Sequence, residues 1–227
     1  MLKRSSLTIA VVGLLSLSLF AASAGEPGPW RALFDGHDPS AWRGYCQKEF
    51  PKEKWVVEDG CLHLLRNSSS GGELVTVETF ENYEFEWEWK LAPKANNGIK
   101  YFVTEARPGA PGHEYQMVDD TTETGAKHLT ASFYDVLPPS VPTTVHPPGQ
   151  WNQSRLGIQG NHVEHWLNGV KVLSYDLGSE EVKAALAKSK FKNAAGFGDK
   201  IKGHILLTNH HGETWYRNLR LRELKVK

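Results

Sequence analysis

The chain has 227 residues, with 26 lysines and arginines against 26 aspartates and glutamates, 40% hydrophobic and 11% aromatic residues. That length allows one domain with a substantial core, while balanced charge without a basic run argues against a nucleic-acid partner. The two cysteines, Cys46 and Cys61, leave open either a disulfide closing a short loop or two buried free thiols.

In chain order, Lys3 and Arg4 precede an uncharged stretch from Leu7 to Phe20 that ends in Ala22-Ser23-Ala24. This reads as a secretory signal peptide over residues 1–24, too short for the roughly 20 apolar residues of a membrane-spanning helix. With no cysteine beside the cleavage site, the expectation is a soluble periplasmic or secreted product without stable membrane insertion. Residues 25–227 are expected to form one domain carrying a formal charge near −2.

Short apolar/polar alternations predict strands at 54–57, 61–65, 84–90, 98–103, 114–118, 154–159, 162–167, 170–175, 204–208 and 214–224. The clearest is 84–90, where Phe85, Trp87 and Trp89 alternate with Glu84, Glu86, Glu88 and Lys90; the glutamates read as a solvated strand face. Asn96-Asn97-Gly98 reads as a turn that delivers Lys100 to a strand. The segment 138–148 holds five prolines and reads as a long connection, not a central strand. Asn168-Gly169 predicts a tight hairpin. Ser179 can cap the single predicted helix, 180–190, acidic at its start and lysine-rich later. Many strands, one late helix and no strand–helix alternation predict an all-β sandwich of two antiparallel sheets.

Generic catalytic signatures (G-x-S-x-G, a Gly-rich phosphate loop, C-x-x-C, H-E-x-x-H) are absent from the sequence. His162 and His165 stand at an odd separation on a strand, so they face opposite ways and do not form a metal pair. Alternation places Glu114 and Gln116 on one face of their strand, roughly 7 Å apart. An acid and an amide so spaced can bind successive sugar hydroxyls or hold a carboxylate poised as a base. Lys100 can reach the same face and bind an anionic intermediate. His210 is the candidate proton-transfer group by its ordinary pKa.

These residues sit in a longer pattern. Leu33-Phe34-Asp35-Gly36 with Trp42, Trp55 to Gly60, Asn96 to Tyr101, Glu114-Tyr115-Gln116, Tyr134-Asp135, Gly149 to Asn152, His165 to Gly169 and Trp215 to Leu219 follow in an order and spacing that resembles the 3-keto-disaccharide hydrolase family. That family is also described as 3-keto-glucoside 1,2-lyase and 3-keto-2-hydroxyglucal hydratase domains. The resemblance implies a concanavalin-like jelly roll with a carbohydrate ligand on its concave face. It departs at Leu207-Thr208-Asn209-His210-His211-Gly212, where many relatives carry Leu-Gln-Asp-His-Gly, so an amide and a carboxylate are replaced.

What the resemblance implies is cleavage of a 3-keto-glycoside: C2 deprotonation, elimination at C1 and rehydration of the enone. Glu114 or His210 is the expected base, and Lys100 or a divalent cation held by Glu114 or Asp119 would neutralise the enediolate. The expected substrate-binding residues are Gln116, Asn97, Tyr134, Asn209, Arg217 and His165, the last of which shares a strand face with Val163 and Leu167 and so reads otherwise as a packed, hydrogen-bonded histidine. The competing readings are a non-catalytic carbohydrate-binding module and a plain glycosidase with Glu114 and Asp119 as its carboxylate pair.

Overall fold

The computed structural model describes residues 27–66, 71–107 and 112–225; the signal-peptide segment 1–24 lies outside them. The strands are β1 (Arg31–Phe34), β2 (Trp42–Gly44), β3 (Trp55–Glu58), β4 (Cys61–Leu64), β5 (Leu74–Thr76), β6 (Tyr83–Leu91), β7 (Asn96–Val103) and β8 (His113–Val118). After two short 3₁₀ turns come β9 (Asn152–Gln159), β10 (His162–Leu167), β11 (Val170–Asp176), helix α1 (Glu180–Leu186), β12 (His204–Leu207) and β13 (Thr214–Glu223).

They form two antiparallel sheets. The larger runs β11-β10-β9-β6-β13-β4-β3, with β1 also paired to β13; the smaller runs β2-β5-β12-β7-β8. β13 holds two partners along one edge, its first residues pairing with β4 and its later ones with β1. The fold is therefore the expected all-β jelly roll.

The alternation in β6 sets the layer order. Phe85, Trp87 and Trp89 are buried between the sheets, each contributing about 1.5–3 kcal/mol of burial relative to exposure. The opposite face carries a charge ladder, Glu88 to Arg217 at 2.7 Å, Glu86 to Arg220 at 2.6 Å, and Glu84 to Arg222. The glutamates are thus paired across strands, worth at most about 1 kcal/mol per pair at such exposure. One polar link crosses the sandwich: Ser154 Oγ accepts from Trp89 Nε1 at 2.8 Å and bonds the Tyr115 hydroxyl at 2.9 Å, which ties the two sheets together.

Asn168 and Gly169 both adopt positive φ, 47° and 83°, as the β10–β11 hairpin requires, and 138–148 forms no strand. Several expectations are corrected. Asn96-Asn97-Gly98 is not a turn but the start of β7, where Asn96 opposes Val118. β1, β2 and β5 went unanticipated; β2 and β5 span only three residues, and all three of β5 are buried, which removes the alternating signal. Helix α1 keeps its Ser179 cap but ends at Leu186 instead of reaching residue 190. The buried Ser189 hydroxyl donates to the Leu186 carbonyl and accepts from the Phe191 amide, offering the chain a local alternative to further helix. Cys46 is exposed and Cys61 buried, both as free thiols. Among the described residues no helix is long and apolar enough to cross a membrane.

Candidate active site

Ile99, Tyr101, Tyr115 and Met117 point into the core between the sheets, so Lys100 on β7 and Glu114 and Gln116 on β8 point to the outer face of the smaller sheet. β7 and β8 place Lys100 directly opposite Glu114, and the β12–β13 loop brings His210 over the pair. Lys100 Nζ stands 4.0 Å from Glu114 Oε2, and His210 Nδ1 stands 3.8 Å from Glu114 Oε1. The three residues named as catalytic from sequence are therefore one cluster.

Glu114 is only 4% exposed, and its Oε1 is buried without a hydrogen-bond partner. A carboxylate held like this is costly, because neither the Lys100 ammonium nor the His210 imidazole is close enough to satisfy the oxygen fully. Such unsatisfied buried groups concentrate where a ligand completes them. His210 is partly exposed; burial lowers its pKa, opposed by the Glu114 charge and reinforced by Lys100, so the imidazole is neutral near pH 7. Gly98 makes room for the carboxylate: a Cβ there would stand 2.5 Å from Glu114 Oε1 and 2.9 Å from the Tyr115 carbonyl oxygen.

Segment 129–137 seals the β8 edge. Gln116 N–H donates to the Ser132 carbonyl at 3.2 Å and Tyr134 N–H donates to the Glu114 carbonyl at 3.0 Å. Tyr134 is thereby set beside Glu114, and burial followed by that negative charge raises its pKa. Gln116 Nε2 donates to Asn96 Oδ1 at 3.1 Å, which fixes its amide on the same face.

The other expected site residues do different work. Asn97 is fully buried; its amide donates to the carbonyls of His211 and Gly212 and to Thr214 Oγ1, while its Oδ1 accepts from His210 N–H at 2.9 Å. It positions the His210 loop and has no face left for substrate. Asn209 is also buried and its amide donates to the Gly71 carbonyl at 2.8 Å, and Thr208 Oγ1 accepts from Gly98 N–H at 2.7 Å. The two positions where this chain departs from its resemblance are thus engaged with backbone.

Arg217 is corrected outright: it lies on the outer face of the other sheet, paired with Glu88 and stacked 3.9 Å over Trp151. His165 is likewise a core residue, 0% exposed, its Nδ1 donating to the Ala131 carbonyl at 2.9 Å and its Nε2 accepting from the Tyr101 hydroxyl at 2.8 Å. Asp119 joins neither a metal site nor a glycosidase pair with Glu114. Its carboxylate caps a 3₁₀ turn, accepting from Lys94 N–H, Thr121 N–H and the Thr121 hydroxyl, and among the described residues no group of three or more His, Cys, Asp or Glu side chains could hold a metal ion. The donor set therefore does not fit a cation shared by Glu114 and Asp119.

One residue of the site was missed. Lys190, read from sequence as a helix-end cation, leaves the shortened helix; its amide donates to Asp135 Oδ2 at 2.6 Å and its ammonium lies 4.2 Å over the Tyr134 ring. Its charge acts on His210. No local pattern could have signalled this, since it depends on where the helix stops.

Comparison with known proteins agrees with this architecture. Residues 29–222 match the family described as 3-keto-alpha-glucoside-1,2-lyase-like domain. A 3-keto-disaccharide hydrolase of Bacteroides thetaiotaomicron is 32% identical over 231 residues, covering 85% of this chain and 77% of that protein. A crystal structure of a candidate glycosyl hydrolase from Parabacteroides distasonis superposes with a TM-score of 0.78 at 29% identity, covering 87% of this chain and 94% of the other. A Bacillus licheniformis beta-glucanase, 11% identical with a TM-score of 0.50 over 89% of this chain and 100% of its own, shares the fold alone. From the match across 29–222 and the Bacteroides relative together, the chain belongs to the 3-keto-alpha-glucoside-1,2-lyase-like family.

Proposed function

We propose that this protein is an exported hydrolase, by net reaction, that cleaves 3-keto-glycosides by removing the C2 hydrogen, expelling the C1 substituent and adding water to the enone. The observation that carries this reading is the buried, unpartnered Oε1 of Glu114 between a lysine and a histidine. The names of the Bacteroides relative and of the family support the substrate class.

A ketone at C3 acidifies the C2 hydrogen, and the enediolate left after deprotonation expels the C1 oxygen. Glu114 Oε1 takes the proton, since an acceptor with no competing donor needs no rearrangement to act as a base. The Lys100 ammonium stabilises the negative oxygen, where a fixed cation in a partly dry site is worth more than in water. Neutral His210 relays the proton between Glu114 and the leaving oxygen or the incoming water. Gln116 and Tyr134 orient sugar hydroxyls. No step is routed through a cation, given how Asp119 is engaged.

The test is turnover of 3-keto-trehalose and a methyl 3-keto-glucoside in D₂O. Elimination predicts deuterium at C2 of recovered substrate or product and a transient enone absorbance; cleavage without deuterium at C2 would replace it with direct hydrolysis. A second expectation concerns Gly98→Ala. The added methyl must displace the Glu114 carboxylate, and a shift near 1 Å can cost up to about 100-fold in rate. We expect kcat/KM to fall about 10- to 100-fold, with overpacking costing about 1–3 kcal/mol in chemical denaturation.

A further inference from the structure

Beyond Lys190 the outer face opens into a cavity of about 900 Å³ whose lining includes Ala106, Phe191, Ala194 and Ile201 together with the cations Lys190 and Arg107. The size suits a ligand fragment, since small-molecule sites run to about 300–1,000 Å³. Three features make it a formed site. The Phe191 ring is stacked on Phe197 at 4.1 Å and 14°. The Phe191 amide is anchored on the buried Ser189 hydroxyl at 3.1 Å. Phe191, Ala194 and Ile201 pack against the main core.

Lys190 is common to the cavity and the catalytic cluster. Its ammonium lies 4.2 Å over the Tyr134 ring and 5.1 Å over Phe191, and its charge reaches His210. A sugar whose C2 faces Glu114 therefore has the cavity as a neighbouring compartment, and its C1 substituent is the group with somewhere to go.

We infer that this cavity is the subsite for the departing aglycone and that it takes an aromatic one in preference to a second sugar; the inference rests on the elimination reading above. Sugar hydroxyls placed against Ala106, Phe191, Ala194 and Ile201 would lose water without hydrogen bonds in return; Thr104, Asn193 and Asp199, also on the lining, leave polar groups for the oxygen of the leaving alcohol, and one N–H of Arg107 is engaged by the Gly196 carbonyl. An aromatic ring meets the opposite balance: it gains from apolar contact and from stacking against the fixed Phe191 ring.

Benzyl and methyl 3-keto-glucosides test this, because the two leaving alcohols have similar acidity and differ in the ring. The full protein should turn over the benzyl substrate at least 10-fold better in kcat/KM. Phe191→Ala should remove that advantage through KM and leave the methyl substrate unchanged; Ala195→Trp, which fills the exposed side of the same cavity, should do the same if the first variant folds poorly. Equal handling of the two substrates, or equal loss on both in the variants, overturns the subsite. Calorimetric binding of benzyl and methyl glucosides, which lack the ketone, separates the two readings. If neither keto substrate reacts yet Phe191→Ala weakens benzyl binding alone, the chemistry fails and the subsite stands; if benzyl and methyl bind alike, the subsite fails.

Discussion

Replacing Glu114 with glutamine is expected to lower turnover of a 3-keto-glucoside by about 1,000-fold, inside the range of about 10² to 10⁴ that a positioned general base contributes. Glutamine keeps the shape and burial of the side chain, so the fold should survive, while the amide cannot take a proton. Substrate binding, measured by calorimetry, should persist within a fewfold, which separates a lost reaction from a lost site. His210→Gln should cost less, because its imidazole stands 3.8 Å from the carboxylate and relays a proton that water can also carry. C2 deuterium exchange decides the roles: if Glu114→Gln still exchanges and His210→Gln does not, the base is His210. If both variants exchange and cleave as the parent does, the base lies elsewhere; if the parent itself neither exchanges nor cleaves, the carbohydrate-binding reading returns.

The second large effect is on stability. His113 and His165 are buried in the core, and burial lowers their pKa values to about 3 and about 4. In the unfolded chain both titrate near 6.5, so between roughly pH 6.5 and pH 4 the unfolded state binds more protons and stability falls as pH falls. At pH 5 each histidine costs about 2 kcal/mol relative to pH 8, together about 4 kcal/mol, a large fraction of the 5–15 kcal/mol typical of a domain. The lowered pKa values of Asp119, Asp135 and Glu164 have the usual carboxylate sign and act at lower pH. Urea unfolding at pH 8, 6 and 5 measures this directly. His165→Gln, which retains a donor for Ala131 and an acceptor for Tyr101, should remove about half of the drop; an unchanged slope would show that His165 is not the neutral buried group described.

One of these histidines shows where reading residues in order loses force. His165 was expected at the ligand and lies in the core, because period-two alternation tells which side of a strand a residue takes without telling which side faces substrate. Arg217 failed for a related reason. The bulge at Asn218, with φ of 53°, and pairing with β6 put its guanidinium on the ladder of Glu88, on the far face of the molecule from Glu114. Asn97 and Asn209 were right in neighbourhood and wrong in role, since Asn97 spends its amide on the loop that carries His210 and Asn209 donates its own to the Gly71 carbonyl.

The sequence alone determined the features that live within one strand or turn. These are the inward Phe85, Trp87 and Trp89, the Asn168-Gly169 hairpin, the Ser179 cap, and the shared face of Glu114 and Gln116, each dictated by backbone periodicity or local hydrogen bonding. Only the tertiary structure decided what depends on distant chain segments meeting. Pairing of β7 with β8 set Lys100 against Glu114, the Asn97-held loop dropped His210 onto them, and the Ser189 hydroxyl ended α1 early enough to release Lys190. The physical reason is that a carboxylate becomes reactive through its burial and the placement of its neighbours, and both are properties of packing between residues roughly 10 to 100 positions apart in the chain.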